Sequence, residues 1–210
     1  MLDILYEDNH IIAVNKTNSD IVQSDKTGDK TLADEVKAYI KEKYNKPGDV
    51  FLGIVHRLDR DTSGLLVFAK DEYTKNLMQS KWNEMVLERK YIAVVEGHLS
   101  QNEGRIESWL KENEKSLKMY SSPVDNGGMH AVTHFKVVEE NKRFSFVEFE
   151  LETGRKNQIR VHASDVLLHP IVGDRKYGST LSFGGRIALH AQTLVFRNPY
   201  GGRILRFESP

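Results

Sequence analysis

Phe51 to Val55 and Leu65 to Ala69 are two apolar runs of five residues each, well short of the ~10 residues a helix of a globular core needs. Runs this short, with no polar residue inside them, suit strands covered on both faces. Between them lie nine residues, His56-Arg57-Leu58-Asp59-Arg60-Asp61-Thr62-Ser63-Gly64, five of them Arg, Asp or His. The chain therefore leaves its core, displays a charged segment and re-enters within nine residues. That pattern demands a sheet with the charged segment at its mouth.

The rest of the chain extends the sheet. Ile4 to Tyr6 and Ile11 to Val14 read as strands separated by a polar turn. Lys90 to Glu96, Ala131 to Val138 and Phe144 to Leu151 read as further strands, the last with a phase slip near Val147 that predicts a bulge. Leu189 to Phe196 and Ile204 to Phe207 form a hairpin about Asn198-Pro199-Tyr200-Gly201-Gly202. Helices are predicted from Thr31 (Leu32, Val36, Ile40 and Tyr44 on one face, ended by Pro47-Gly48), over 72–86 (Tyr73, Leu77, Trp82 and Met85) and over 159–167. Strands that follow one another without helices favour an α+β fold with a mixed, largely antiparallel sheet over a doubly wound one. The 210 residues suit a single domain.

Thirty basic and thirty acidic residues cancel, so a polyanion would have to be held by local clusters and not by the overall field. Cysteine is absent, which removes disulfides and thiolate metal sites. The N-terminal residues lack the basic and apolar stretches of a secretion signal, and no stretch approaches ~18 apolar residues. The sequence reads as a cytoplasmic protein.

Taken alone, the 56–64 segment is a solvated turn with Asp-Thr-Ser-Gly at its tip. Its charges, however, begin immediately after Val55, and Arg57 and Arg60 flank Asp59. A carboxylate so placed can be held ionised, as a nucleophile must be. The longer stretch from Gly53 to Lys70, GIVHRLDRDTSGLLVFAK, resembles the signature of the RluA-type RNA pseudouridine synthases. Lys90-Tyr91-Ile92-Ala93-Val94-Val95-Glu96-Gly97, Leu151 to His162 (LETGRKNQIRVH), His169 to Asp174 and Leu189-His190-Ala191 resemble that family's other blocks, in the same order.

The resemblance implies a pseudouridine synthase fold with a central RNA-binding cleft and a structured RNA substrate, ribosomal or transfer. It puts the catalytic aspartate at Asp59, the active-site tyrosine at Tyr91, the arginine that pairs with the aspartate at Arg160, and an apolar wall near the base at Leu189. Arg57 is expected to hold the flipped nucleotide and His56 to support the loop beside the RNA. Arg155 and Lys156, ahead of the third helix, and Arg175 and Lys176 are expected to meet phosphates. No metal or cofactor, DNA or membrane is implied, and a monomer is expected. Three departures stand out. Lys16 is followed by Thr17 where the family has Pro, Asn157 stands where it has His, and a strand beginning near Met1 leaves no room for the RNA-binding S4 domain of many relatives.

Three other readings compete. His130 and His134 have metal-like spacing, with His162, His169 and His190 available for a zinc hydrolase. Four residues along a strand span about 13 Å, however, too far for a shared ion. An inactive RNA-binding module would not need Asp59, Tyr91 and Arg160 together. A nucleoside glycosidase would differ in its products. Lys111, Lys115 and Lys118, interleaved with acids, read as a solvated loop.

Overall fold

The computed structural model describes residues 2–22 and 30–210. In chain order its elements are β1 (Asp3–Glu7), β2 (Ile11–Lys16), α1 (Leu32–Lys43), β3 (Gly53–Ile54), β4 (Ser63–Ala69), α2 (Glu72–Met85), β5 (Val86–Glu96), β6 (Glu103–Asn113), β7 (Lys118–Ser122), β8 (Met129–Glu140), β9 (Phe144–Leu151), α3 (Gln158–Val161), β10 (Leu189–Arg197) and β11 (Ile204–Glu208). A π-helical turn, His162–Val166, continues α3, and a 3-10 turn spans Arg175–Tyr177. The chain forms two compact units, Met1–Glu88 with Ala191–Pro210, and Arg89–His190. Among the described residues no helix is long and apolar enough to cross a membrane.

The first unit orders its strands β1-β2-β4-β10, with β11 on β10 and β3 on β4. Leu65, Leu66, Val67 and Phe68 of β4 are all at most 2% exposed, as an apolar run covered on both faces should be. Ile11, Ala13, Val67 and Ala69 pack with Met78, Leu194, Phe196 and Phe207 in one core. Helix α1 starts at the predicted Thr31, which exchanges hydrogen bonds with Asp34 in a capping box. The predicted apolar face of α2 holds at Trp82 and Met85 but is displaced by one position in its first two turns, where Thr74 and Met78 replace Tyr73 and Leu77. Thr74, Met78 and Met85 are buried, and Tyr73 is 68% exposed. Asp71 caps the helix through the Thr74 amide and hydroxyl, and this rotates Thr74 inward onto Tyr200.

Glu7 ties α1 to the strands. Its carboxylate accepts from Lys43, Lys70 and the hydroxyls of Tyr39 and Tyr44. Burial opposes its charge, but Lys43, Lys70 and Tyr44 overcome that and hold its pKa down at about 2. A carboxylate with a depressed folded pKa stabilises above its ordinary value and loses that contribution as pH falls towards the folded one. Glu7→Gln should therefore cost about 2 kcal/mol at pH 7. Wild type and variant should converge between pH 4.5 and about 2, as followed by denaturant melts at several pH values.

The second unit orders its strands β5-β9-β8-β6-β7, and its pairings are antiparallel. Val95, Val147, Phe149, Ile159, Ile171 and Leu189 belong to its main core. The bulge expected at Val147 lies across from it, in β8, where the register slips between Val137 and Glu139. Strand β9 keeps an unbroken alternation, with Ser145, Val147 and Phe149 buried. A buried serine in the apolar row, and phenylalanines part-covered on the other face, mimicked a phase slip. The expected loop carrying Lys111, Lys115 and Lys118 is a hairpin, with Lys111 in β6 and Lys118 in β7. Its alternation is carried by Ile106, Ser108 and Leu110 between charged neighbours.

Candidate active site

The 56–64 segment is pinned from inside the first unit. Lys16 and Gly64 are register partners of β2 and β4, so the Lys16 side chain enters the loop. Its ammonium donates to the carbonyls of Arg60 (2.7 Å), Thr62 (2.7 Å) and Thr17 (2.9 Å). Asn18 donates to the Asp61 carbonyl, and the Thr62 amide closes the turn on the Asp59 carbonyl. Lys16 is 1% exposed. Burial pulls its pKa down to about 8, with Asp20, Asp61 and Asp59 opposing. A buried cation capped by three main-chain oxygens gives a charged loop one conformation. Gly64, with φ +111°, lies against β10, where a Cβ would stand 2.2 Å from the Ala191 carbonyl oxygen.

Leu58 is buried, Asp59 is part-exposed and Arg57 is exposed. Arg57 lines a cleft of about 500 Å³ with Phe51, Ile54, Lys75 and Gln79. His56 accepts the Val67 amide on Nε2 at 3.0 Å and stacks on Trp82, an arrangement that holds the loop. The sequence reading noted Lys16 only as the neighbour of Thr17 and gave it no role. The available clue was a lysine ending an apolar strand.

In the second unit Arg160 is 6% exposed. It grips Asp174 side-on, Nε to Oδ2 at 2.6 Å and Nη2 to Oδ1 at 2.9 Å, and its guanidinium lies 5.0 Å from the Tyr177 ring centre. Asp174, 1% exposed, ends the His169 to Asp174 block, and the sequence reading gave it no role. An aspartate after a glycine looks like a turn residue. Tyr177 donates from its hydroxyl to Asn157. Asn157 has φ 53°, a left-handed conformation that asparagine adopts more readily than most residues. That accounts for an asparagine here. Gln158 fixes the same turn, accepting from Thr153 and the Arg155 amide and donating to the Val132 carbonyl and Thr133. Tyr91 is half-buried against the core cluster that contains Leu189.

The expected phosphate ligands are placed differently from one another. Arg155 donates from Nε to the His130 carbonyl. Lys156 pairs with Glu112 at 2.5 Å, and Lys176 donates to the Leu117 carbonyl. Arg175 is exposed. Helix α3, which the two leading cations were expected to precede, has only four α-helical residues before the π turn. His130 and His134 bond different glutamates, Glu107 and Glu152. His162, fully buried between Ser108 and Thr133, has its pKa pushed down to about 4 by burial.

A family model described as RNA pseudouridylate synthase matches residues 10–165. The chain is 39% identical to the uncharacterized RNA pseudouridine synthase YlyB of Bacillus subtilis, across 100% of this chain and 69% of that protein. It is also 39% identical to the ribosomal large subunit pseudouridine synthase D of Neisseria meningitidis serogroup A, across 100% of this chain and 58% of that one. Among solved structures, human RNA Pseudouridylate Synthase Domain Containing 4 shares the fold, with a TM-score of 0.81 at 24% identity over 99% of this chain and 88% of that one. The length of the family match and the identity along the entire sequence make this chain a member of the RNA pseudouridylate synthase family, and an isomerase of that class.

Proposed function

We propose that the chain converts uridine to pseudouridine at flipped-out positions in folded ribosomal or transfer RNA, with Asp59 as the nucleophile. The observation that carries this reading is the three-carbonyl capture of Lys16, which fixes the conformation of a charged loop that would otherwise be pliant. Rigid presentation of a carboxylate is what covalent or electrostatic assistance at C1′ or at the base requires.

In this reading the C1′–N1 bond breaks, the uracil turns in place, C1′ joins C5, and the C5 proton leaves to solvent. N1 takes up a proton as the C5 proton leaves, so product and substrate have the same atoms. The Tyr91 ring supports the detached base and its hydroxyl is available for proton transfer, while Leu189 walls the base. Arg160, held in one orientation by Asp174 and Tyr177, keeps Asp59 ionised. Arg57 steadies the flipped nucleotide beside His56, and Arg155, Lys156, Arg175 and Lys176 meet the backbone.

RNA carrying tritium at C5 of its uridines should release tritium to water, with no free uracil and no abasic site. Uracil appearing in step with turnover would make the protein a glycosidase. The lysine adds a pH signature. Lys16 gives up its proton as pH rises through about 8, and one of its three carbonyls then loses a donor. The rate of tritium release should fall on that alkaline limb. Lys16→Met should be about 100-fold slower in kcat, close to 3 kcal/mol, and should lack the limb.

A further inference from the structure

Arg89 enters neither the sequence reading nor the mechanism above, yet its charge is poorly compensated. One of its nitrogens, Nη2, donates to the main-chain carbonyl of Glu152 at 2.8 Å. Its Nε is buried with no hydrogen-bond partner, and it is the one side-chain atom among the described residues in that condition. The Glu152 carboxylate is turned elsewhere, to His134 at 2.6 Å and Arg105 at 3.5 Å. Among the described residues no carboxylate pairs with Arg89, and none pairs with Arg155, whose Nε is spent on the His130 carbonyl. Burial is the main influence pulling the Arg89 pKa below the ordinary arginine value; Tyr91 opposes it, and Arg155 adds to it.

Two guanidinium groups close enough to disfavour each other, one part-buried and short of a partner, are destabilising by themselves. An anion beside the two groups removes the like-charge penalty. Backbone geometry keeps the place open. Gly154, which is exposed, stands against the guanidinium, and a Cβ there would be 2.8 Å from Nη1. Arg89 also lies two residues before Tyr91 on β5, so the two side chains leave the same face of the strand.

We propose that Arg89 and Arg155 together bind one backbone phosphate of the RNA, on the strand face that carries Tyr91. The inference rests on the RNA-isomerase reading and adds to it a positioning contact near the residue that supports the base. Arginine suits the task, because its planar fork meets two phosphate oxygens at once.

Arg89→Gln in the full-length protein tests this. KM for RNA should rise about tenfold, with the loss in KM more than in kcat. The plot of log affinity against log salt should become shallower by about 0.7 to 0.9. The melting temperature without RNA should hold or rise, since a poorly compensated cation has gone. Gly154→Ala, which displaces the guanidinium without changing charge, should also weaken RNA binding. A methylphosphonate scan of the RNA should find one position where neutralising the phosphate weakens wild type but not Arg89→Gln, which makes the RNA backbone and not free phosphate the ligand. An unchanged salt slope, or a lowered melting temperature with an unchanged KM, would overturn the site and leave Arg89 a structural residue. If the slope responds as expected but no tritium is released from any RNA, the anion site stands and the isomerase reading falls.

Discussion

Asp59→Asn is expected to fold as the wild type does and to release tritium at least about a thousandfold more slowly, a loss of roughly 4 kcal/mol of transition-state stabilisation. The two halves of this expectation have separate causes. The loop is held through main-chain oxygens, by Lys16 on Arg60 and Thr62 and by the Thr62 amide on the Asp59 carbonyl. Exchanging one side-chain oxygen for an amide nitrogen removes none of these bonds. It does remove the charge, and with it the proposed nucleophile. A second consequence follows at Lys16. Asp59 is one of the three aspartates that raise its pKa against burial, so in the variant the alkaline transition should move below about 8. Circular dichroism and melting temperature check the fold, and tritium release checks the chemistry. A pure variant that retains activity within tenfold of wild type would remove Asp59 from the nucleophile's role.

The buried pair of Arg160 and Asp174 gives the second large effect, and it separates stability from chemistry. Their side chains are 7% and 1% exposed. Asp174→Leu should cost about 3 to 5 kcal/mol, because it removes the buried carboxylate that grips the guanidinium at two nitrogens. Arg160→Met alone should be similarly costly, since it strands the carboxylate, so its inactivity by itself would be uninformative. The double variant, Arg160→Met with Asp174→Leu, should regain most of the lost stability, as apolar replacement of both partners commonly does. It should nevertheless remain inactive if Arg160 acts on Asp59 as proposed. Denaturant melts of the four proteins measure the coupling. A stable, active double variant would reduce Arg160 to a packing residue.

Much of the framework was legible because it rests on local rules. Leu65 to Phe68 announced a strand covered on both faces, and Thr31 announced the start of a helix through a capping box. The β6–β7 hairpin was not legible. Its pattern is carried by single apolar residues such as Ile106 and Leu110 among charges, and its lysines looked like solvated loop. At the site, resemblance gave roles to Asp59 and Arg160, whereas it brought in Lys16 and Asp174 with no role assigned. Lys16 is 44 residues from the Arg60 carbonyl it binds, and Asp174 is 14 residues from Arg160. Pairings at such separations leave no periodicity to read. Arg89 escaped for a related reason, since its distinguishing property is a partner it lacks, and a sequence does not display that.

The contact at Gly64 bears on how this signature ages. With φ at +111° and the backbone of β10 where a Cβ would go, only glycine fits there, whether or not the protein turns over RNA. The apolar run after it is likewise fixed by burial. Two selective pressures are therefore superimposed on one short motif, and they would separate in a descendant released from catalysis. Drift would reach Arg57 and Asp59 first, at the exposed and part-exposed positions, while the Gly-Leu-Leu-Val-Phe segment persisted as a fossil of the fold. A pseudoenzyme of this lineage would thus keep most of the family's signature, and, on the proposed mechanism, the telling substitution would be at Asp59 itself.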